Sequence, residues 1–374
     1  MMKNPAPGAL YIPQLTFPRF VAAVMVVIFH YGQQSSPFNT SALSGLISQG
    51  SIAVSFFFFL SGMVLMLNYG PVRTTPGSFW LKRFARIYPL YLFAFLLIVI
   101  SEVLTRGAGA KGISILLQAI GLHAWVPGIC LEMNFPGWSI SVEMFFYLLF
   151  PFLLPLFRKM KFKTAGIVVL IIWGLSAIQH IMTGHFVNLG SDKLNGEFNL
   201  YFPLWHLNTF LFGMLAGIAA LSFRLKPGRT LVPLLGFLAG LVTFIYILVS
   251  DNGIKPHIHN GLLAPVFFLI CVGLAFDRSL ITRWMSHKIP VFLGDISYSV
   301  YLLQYPVYFW LTYALGRENL HGPVFWIYLL ILMSVSALTF LLLERPARKW
   351  LVKRFIREKT EQKRTRKGSA SGLS

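Results

Sequence analysis

The sequence predicts an all-α fold, a polytopic membrane bundle of about ten transmembrane helices. Of its 374 residues, 56% are hydrophobic and only 12% are charged, whereas a soluble domain carries roughly 25% charged residues. Apolar runs of bilayer-crossing length, roughly 17–25 residues, recur along the chain. Lys and Arg, finally, collect in alternate connections, as they do on the cytoplasmic side of membrane proteins. No polar segment is long enough to form a second globular domain. The chain therefore divides into a membrane domain, 1–350, and a basic tail, 351–374.

The first run, 17–32, holds Arg19 and reaches His30-Tyr31 without a small-residue cleavage site, so it reads as a retained helix rather than a signal peptide. The next spans fall at 52–69, 84–105, 139–157, 164–183, 203–222, 231–250, 260–277, 292–314 and 323–343. A shorter apolar stretch, 112–126, contains His123, and whether it crosses sets the topology downstream. If it does not cross, both termini are cytoplasmic and 27 of the 32 basic residues lie inside. Only Arg106, Lys111, Lys193, Lys255 and Arg317 then lie outside. If it did cross, Arg158-Lys159-Met160-Lys161 and two later basic loops would move outside, so 112–126 reads as re-entrant or interfacial. The net charge of +20 is this same bias, and no nucleic-acid partner is expected.

The outer loops, 33–51, 106–138, 184–202, 251–259 and 315–322, are rich in Gly, Ser, Asn and aromatic residues, and hold His185, His257, His259 and His321. Such residues line sugar-binding surfaces and also form interfacial belts. Cys130 and Cys271 have no CxxC or Cys/His spacing, so neither a disulfide framework nor a metal site is expected. The stretch E-R-P-A-R-K-W-L-V-K-R-F-I-R reads as a short amphipathic helix at the inner surface, followed by a disordered basic end.

Four groups of residues could carry chemistry. Arg19 and His30 are eleven positions apart, so a regular helix sets them on one face about 16 Å apart along its axis. A cation and an imidazole inside a span turn toward protein or water, and imidazole is suited to proton transfer near neutral pH. Arg83 and Arg86, in W-L-K-R-F-A-R-I-Y-P-L-Y, are three apart and so neighbours on a helix. They suit phosphate oxygens as well as anionic lipid. Glu143, in P-G-W-S-I-S-V-E-M-F-F-Y, lies just inside a span and could orient His30 or neutralise Arg19. Ser139 and Ser141 fall on different faces and suit hydrogen bonds back to their own helix. Asp295, in G-D-I-S-Y-S-V-Y-L-L-Q-Y-P, reads as a helix-start acid opposing the dipole.

Together these stretches resemble the acyltransferase type 3 family of polytopic membrane O-acyltransferases. The shared pattern is Arg, ten residues, His; F-F-F-F-L-S-G-M at 56–63; R-x-x-R before Y-P-L-Y; W-S-I-S-V-E; G-D-I-S-Y-S-V-Y-L; and a closing E-R-P, in that order across 15–350. The resemblance implies transfer of an acyl group, most often acetyl, from cytoplasmic acyl-CoA to hydroxyls of cell-envelope sugars. It makes His30 and Arg19 essential and puts Arg83 and Arg86 near the donor. Gln304 stands where relatives often carry His, and Met144 where a second acid is common. No hydrolase-like domain is appended, unlike in some relatives.

The expected protein is a multi-pass enzyme of the bacterial inner membrane, partnered by acyl-CoA, a carbohydrate or lipid-linked glycan and the bilayer, and using no metal. His30, Arg19 and Glu143 are the expected catalytic residues; Arg83 and Arg86 are the donor-binding ones. Arg19 and Glu143 would set the charge and tautomer of the imidazole. The rival is a transporter or flippase for a lipid-linked saccharide with Arg19, His30 and Glu143 as a relay. The absence of internal repeats and of paired broken spans weighs against that rival. A structural scaffold would tolerate neutral substitutions at all these charges.

Overall fold

In the computed structural model of the protein, the described residues are 10–106, 112–186, 193–222, 231–250 and 255–355. Among them ten helices build the bundle. These are α1 Phe17–Val27, α2 Ile52–Tyr69, α3 Pro76–Arg106, α4 Trp138–Lys159, α5 Phe162–Phe186, α6 Leu207–Ser222, α7 Leu231–Val249, α8 Ala264–Phe276, α9 Lys288–Leu315 and α10 Pro323–Thr339. Each coincides with an expected span. Eight segments are long and apolar enough to cross a membrane, Pro13–Gly32 first and Pro323–Phe355 last. The other two expected spans are α8, an apolar helix of only 13 residues, and α9, long but interrupted by the polar run Gly294 to Gln304.

Between α3 and α4, the segment 112–126 forms the helix Gly112–Ala119 and a 3₁₀ turn at His123–Trp125. Eight residues of helix rise only about 12 Å, far short of a bilayer. Side chains from flanking helices pin this segment down. Tyr88 donates to the Ala119 carbonyl at 3.2 Å, Tyr91 to that of Gln118, and Ser141 to that of Gly121 at 2.6 Å. His123 is wholly buried beneath it, and that burial pushes its imidazole down to about 4, so it stays neutral.

Two expectations fail. Asp295 does not start its helix: α9 begins at Lys288, with His287 as its N-cap. The basic stretch after Glu344 is not a separate surface helix either. It continues the last span to Phe355 through a π turn at Phe340–Glu344. The rest of the tail, 356–374, lies outside the described residues.

Helices α2 and α6 approach most closely, because glycines meet at their crossing. A Cβ on Gly213 would stand 1.9 Å from the Phe59 carbonyl oxygen, and one on Gly62 would stand 2.1 Å from that of Phe210. Small residues let backbones meet where lipid gives helices no hydrophobic reason to associate. Gly213→Leu should therefore destabilise the bundle by about 1–3 kcal/mol. Gly236→Leu, at a position with nothing within 4 Å, should not. Thermal unfolding in detergent compares the two, and equal midpoints would show that the crossing tolerates a side chain.

Prolines inside helices leave the carbonyl four residues earlier without its amide donor. Two of these carbonyls are taken up from elsewhere in the chain. Pro151 frees the oxygen of Tyr147, which accepts from Trp80 Nε1 at 3.0 Å. Pro306 frees that of Leu302, which accepts from Asn134 Nδ2 at 3.2 Å. The second bond holds the 134–137 turn against α9 and sets Phe135 beside His30.

Candidate active site

At the N-terminal end of the first span, three arginines line one pocket: Arg19 from α1, Arg86 from α3 and Arg348 from the extension of α10. Asp295 and Glu344 line it too. Glu344 is buried in its π turn and accepts from Ser299 Oγ at 3.2 Å. Among the described residues, none of the three guanidiniums comes within 4 Å of a carboxylate, and Arg19 Nε is buried without a hydrogen-bond partner. Cations brought together without partners form a site for a multiply charged anion, since each guanidinium can bind two oxygens. Gly294 lets this end close up, because a Cβ there would meet the Thr16 carbonyl oxygen at 2.1 Å.

Arg83 is elsewhere. Its guanidinium is buried, donates to Tyr69 Oη at 3.2 Å, and lies 5.5, 5.9 and 5.7 Å from the rings of Tyr69, Phe79 and Tyr147. It borders a second cavity walled mainly by apolar side chains, including Trp80, Phe84, Ile87 and Leu148. The two arginines of R-x-x-R, expected to form one clamp, thus face different cavities. Three residues turn a helix by about 300°, a 60° divergence, and the two side chains fall to different neighbours of α3. Above Arg83, Glu143 Oε1 accepts from Ser61 Oγ at 3.1 Å and from the Tyr147 hydroxyl. Glu143 therefore does not reach His30. It lies within electrostatic range of Arg19, the alternative role the sequence offered.

His30 sits at the far end of the first span, in a π turn, Ile28–Gly32, that continues α1. Such turns are frequent at functional sites. Its ring packs edge-on against Phe135 at 4.8 Å, and Nδ1 lies 2.9 Å from Gln304 Oε1 on α9. The pocket lined by Arg19 does not include His30, so the two motif residues serve opposite ends of one helix. Ser139 reaches across to this end, with Oγ 3.0 Å from the Pro136 carbonyl and 2.8 Å from the Tyr301 hydroxyl. Ser139 and Ser141 thus bond to residues outside their own helix. Near the outer loops, His259 Nδ1 bonds Asn260 at 3.0 Å and its ring lies over Trp138; His185 and His257 lie outside the described side chains.

Sequence reasoning named Arg19, Arg83, Arg86, Glu143 and His30 and missed Arg348 and Gln304. Arg348 was one of many tail cations, and only the continuation of the last span brings it into the pocket. Gln304 was marked as a departure, with no sign that it would touch a residue 274 positions away.

The model of the acyltransferase type 3 family, described as an acyltransferase domain, matches residues 12–357. The chain belongs to this family. Its match takes in all six motifs and both ends of the first span. As a member, the protein is a multi-pass membrane acyltransferase. It is similar to acyltransferase MdmB of Streptomyces mycarofaciens, 34% identical over 322 residues and 80% of each chain. It also resembles O-acetyltransferase OatA of Staphylococcus aureus, 25% identical over 91% of this chain, which spans 57% of OatA's length. No solved structure matches the chain significantly. Among the described residues, no group of three or more His, Cys, Asp or Glu side chains is placed to hold a metal ion.

Proposed function

We propose that this acyltransferase moves an acyl group, most simply acetyl, from acyl-CoA to a hydroxyl of a cell-envelope polysaccharide or lipid-linked sugar, in the bacterial cytoplasmic membrane. One observation carries the reading: the first span runs from a pocket where Arg19 meets Arg86 and Arg348 to a partly buried histidine backed by a buried amide. The arginine end lies on the side that charge bias makes cytoplasmic, where acyl-CoA is found. Arg86, Arg348 and Arg19 would hold the donor's phosphates there, with Glu143 offsetting the charge of Arg19. At the other end, His30 would take the proton of the acceptor hydroxyl as its oxygen attacks the thioester carbonyl. The C–S bond breaks, and the same proton leaves with the CoA thiol.

The names of MdmB and OatA support acyl transfer, and OatA's supports acetyl transfer to oxygen. The test uses membranes holding the protein, acetyl-CoA labelled in its acetyl group, and envelope glycan. Labelled glycan and free CoA thiol should appear together and only when both substrates are present. Movement of a lipid-linked saccharide without any covalent product would overturn the reading in favour of a transporter.

A further inference from the structure

We infer that Gln304 is the positioning residue that fixes the tautomer of His30, holding the proton on Nδ1 so that Nε2 is the basic nitrogen. The inference rests on the proposed role of His30 as the base. Gln304 is completely buried. Its Nε2 donates to the Tyr301 carbonyl at 2.7 Å, and a carbonyl can only accept. The amide is therefore held one way round, with Oε1 toward His30 Nδ1 at 2.9 Å. An amide oxygen can also only accept, so Nδ1 carries the hydrogen. In the neutral ring Nε2 is then the nitrogen with a free lone pair.

The backbone of Gln304 is held as well, since its carbonyl accepts from the Tyr328 hydroxyl at 2.9 Å. The amide thus has little freedom to swing away or invert. The titratable groups packed about this end are phenols: Tyr31 on the helix of His30, Tyr301, Tyr305 and Tyr308 on α9, and Tyr328 on α10. Among the described residues no ion pair reaches the ring. Orientation by a neutral amide replaces the expected orientation by Arg19 and Glu143. Unlike a histidine at 304, an amide does not titrate, so the base would titrate as a single group.

The experiment measures kcat, donor KM and the pH profile of kcat/KM for Gln304→Leu, Gln304→Glu and His30→Ala, each purified as a monodisperse protein in lipid nanodiscs. Gln304→Leu should lose at least about 10–100-fold in kcat, the scale seen when the partner that orients a metal-bound imidazole is removed, with donor KM unchanged. Gln304→Glu should keep activity at high pH, because a carboxylate also accepts from Nδ1–H. Its charge stabilises the imidazolium, so the acidic limb should move to higher pH by a unit or more. Full kcat in the Leu variant would overturn the inference. A low kcat in the Leu variant with an unmoved acidic limb in the Glu variant would also overturn it, leaving Gln304 a packing residue. An active His30→Ala would instead remove the base reading itself, so the two failures are distinguishable.

Discussion

His30→Gln is expected to abolish acyl transfer, with a loss of about 10²–10⁴-fold, the contribution of a positioned general base, while the protein still inserts and accumulates. The amide of glutamine can hydrogen-bond but cannot accept a proton at neutral pH. A histidine that only filled space beside Phe135 and bonded Gln304 would often be rescued by it. His30→Ala should be equally inactive. The measurement is transfer of labelled acetyl from acetyl-CoA to envelope glycan in membranes matched for the amount of each variant. Substantial activity in His30→Gln would reduce His30 to a packing residue.

The second large effect should divide the two arginines of R-x-x-R. Arg86→Ala removes a charge-assisted contact from the pocket it shares with Arg19 and Arg348. Such contacts contribute roughly 1.5–3 kcal/mol, so the donor KM should rise about 10–150-fold. Arg83→Ala empties a cage of three aromatic rings and borders a different cavity. It should lower the thermal midpoint and move the donor KM far less. Lys82→Ala, outside both cavities, should change little. Equal rises in KM for Arg83→Ala and Arg86→Ala would restore the single clamp and show that the donor bridges both cavities.

The helices were legible because lipid imposes one rule on every span, an apolar run of sufficient length. That rule found α9 despite its polar run, and the distribution of Lys and Arg kept 112–126 from being read as a further span. The site was legible where charge is conspicuous against an apolar background, as at Arg19, Arg86 and Glu143. It was not legible where the candidate site is built from a neutral group or turns on helix phase. Gln304 carries no charge, and nothing local to it points to His30. The π turn that carries His30 has no residue signature, and a uniform helix set Arg19 and His30 on one face serving one site. Asp295 looked like a helix start because the apolar run begins at 292, yet the helix begins a turn earlier, at Lys288. Arg348 was hidden among the other tail cations, since the end of a span is blurred where basic residues begin.

The two proline-freed carbonyls bear on the order in which the chain is assembled. In each case the donor is made before the acceptor: Trp80 precedes the Tyr147–Pro151 turn, and Asn134 precedes the Leu302–Pro306 turn. A carbonyl released into hydrocarbon without a partner costs several kcal/mol. During synthesis, each of these two helices leaves the ribosome after the indole or amide that will bond its freed carbonyl has already been made. The late helix carrying Gln304 can thus dock onto a finished surface, and docking it completes the neighbourhood of His30. Biogenesis from the N-terminus would in this way spare these two carbonyls a wait in lipid without a partner, and the enzyme would acquire its base in working form only when the α9 helix arrives.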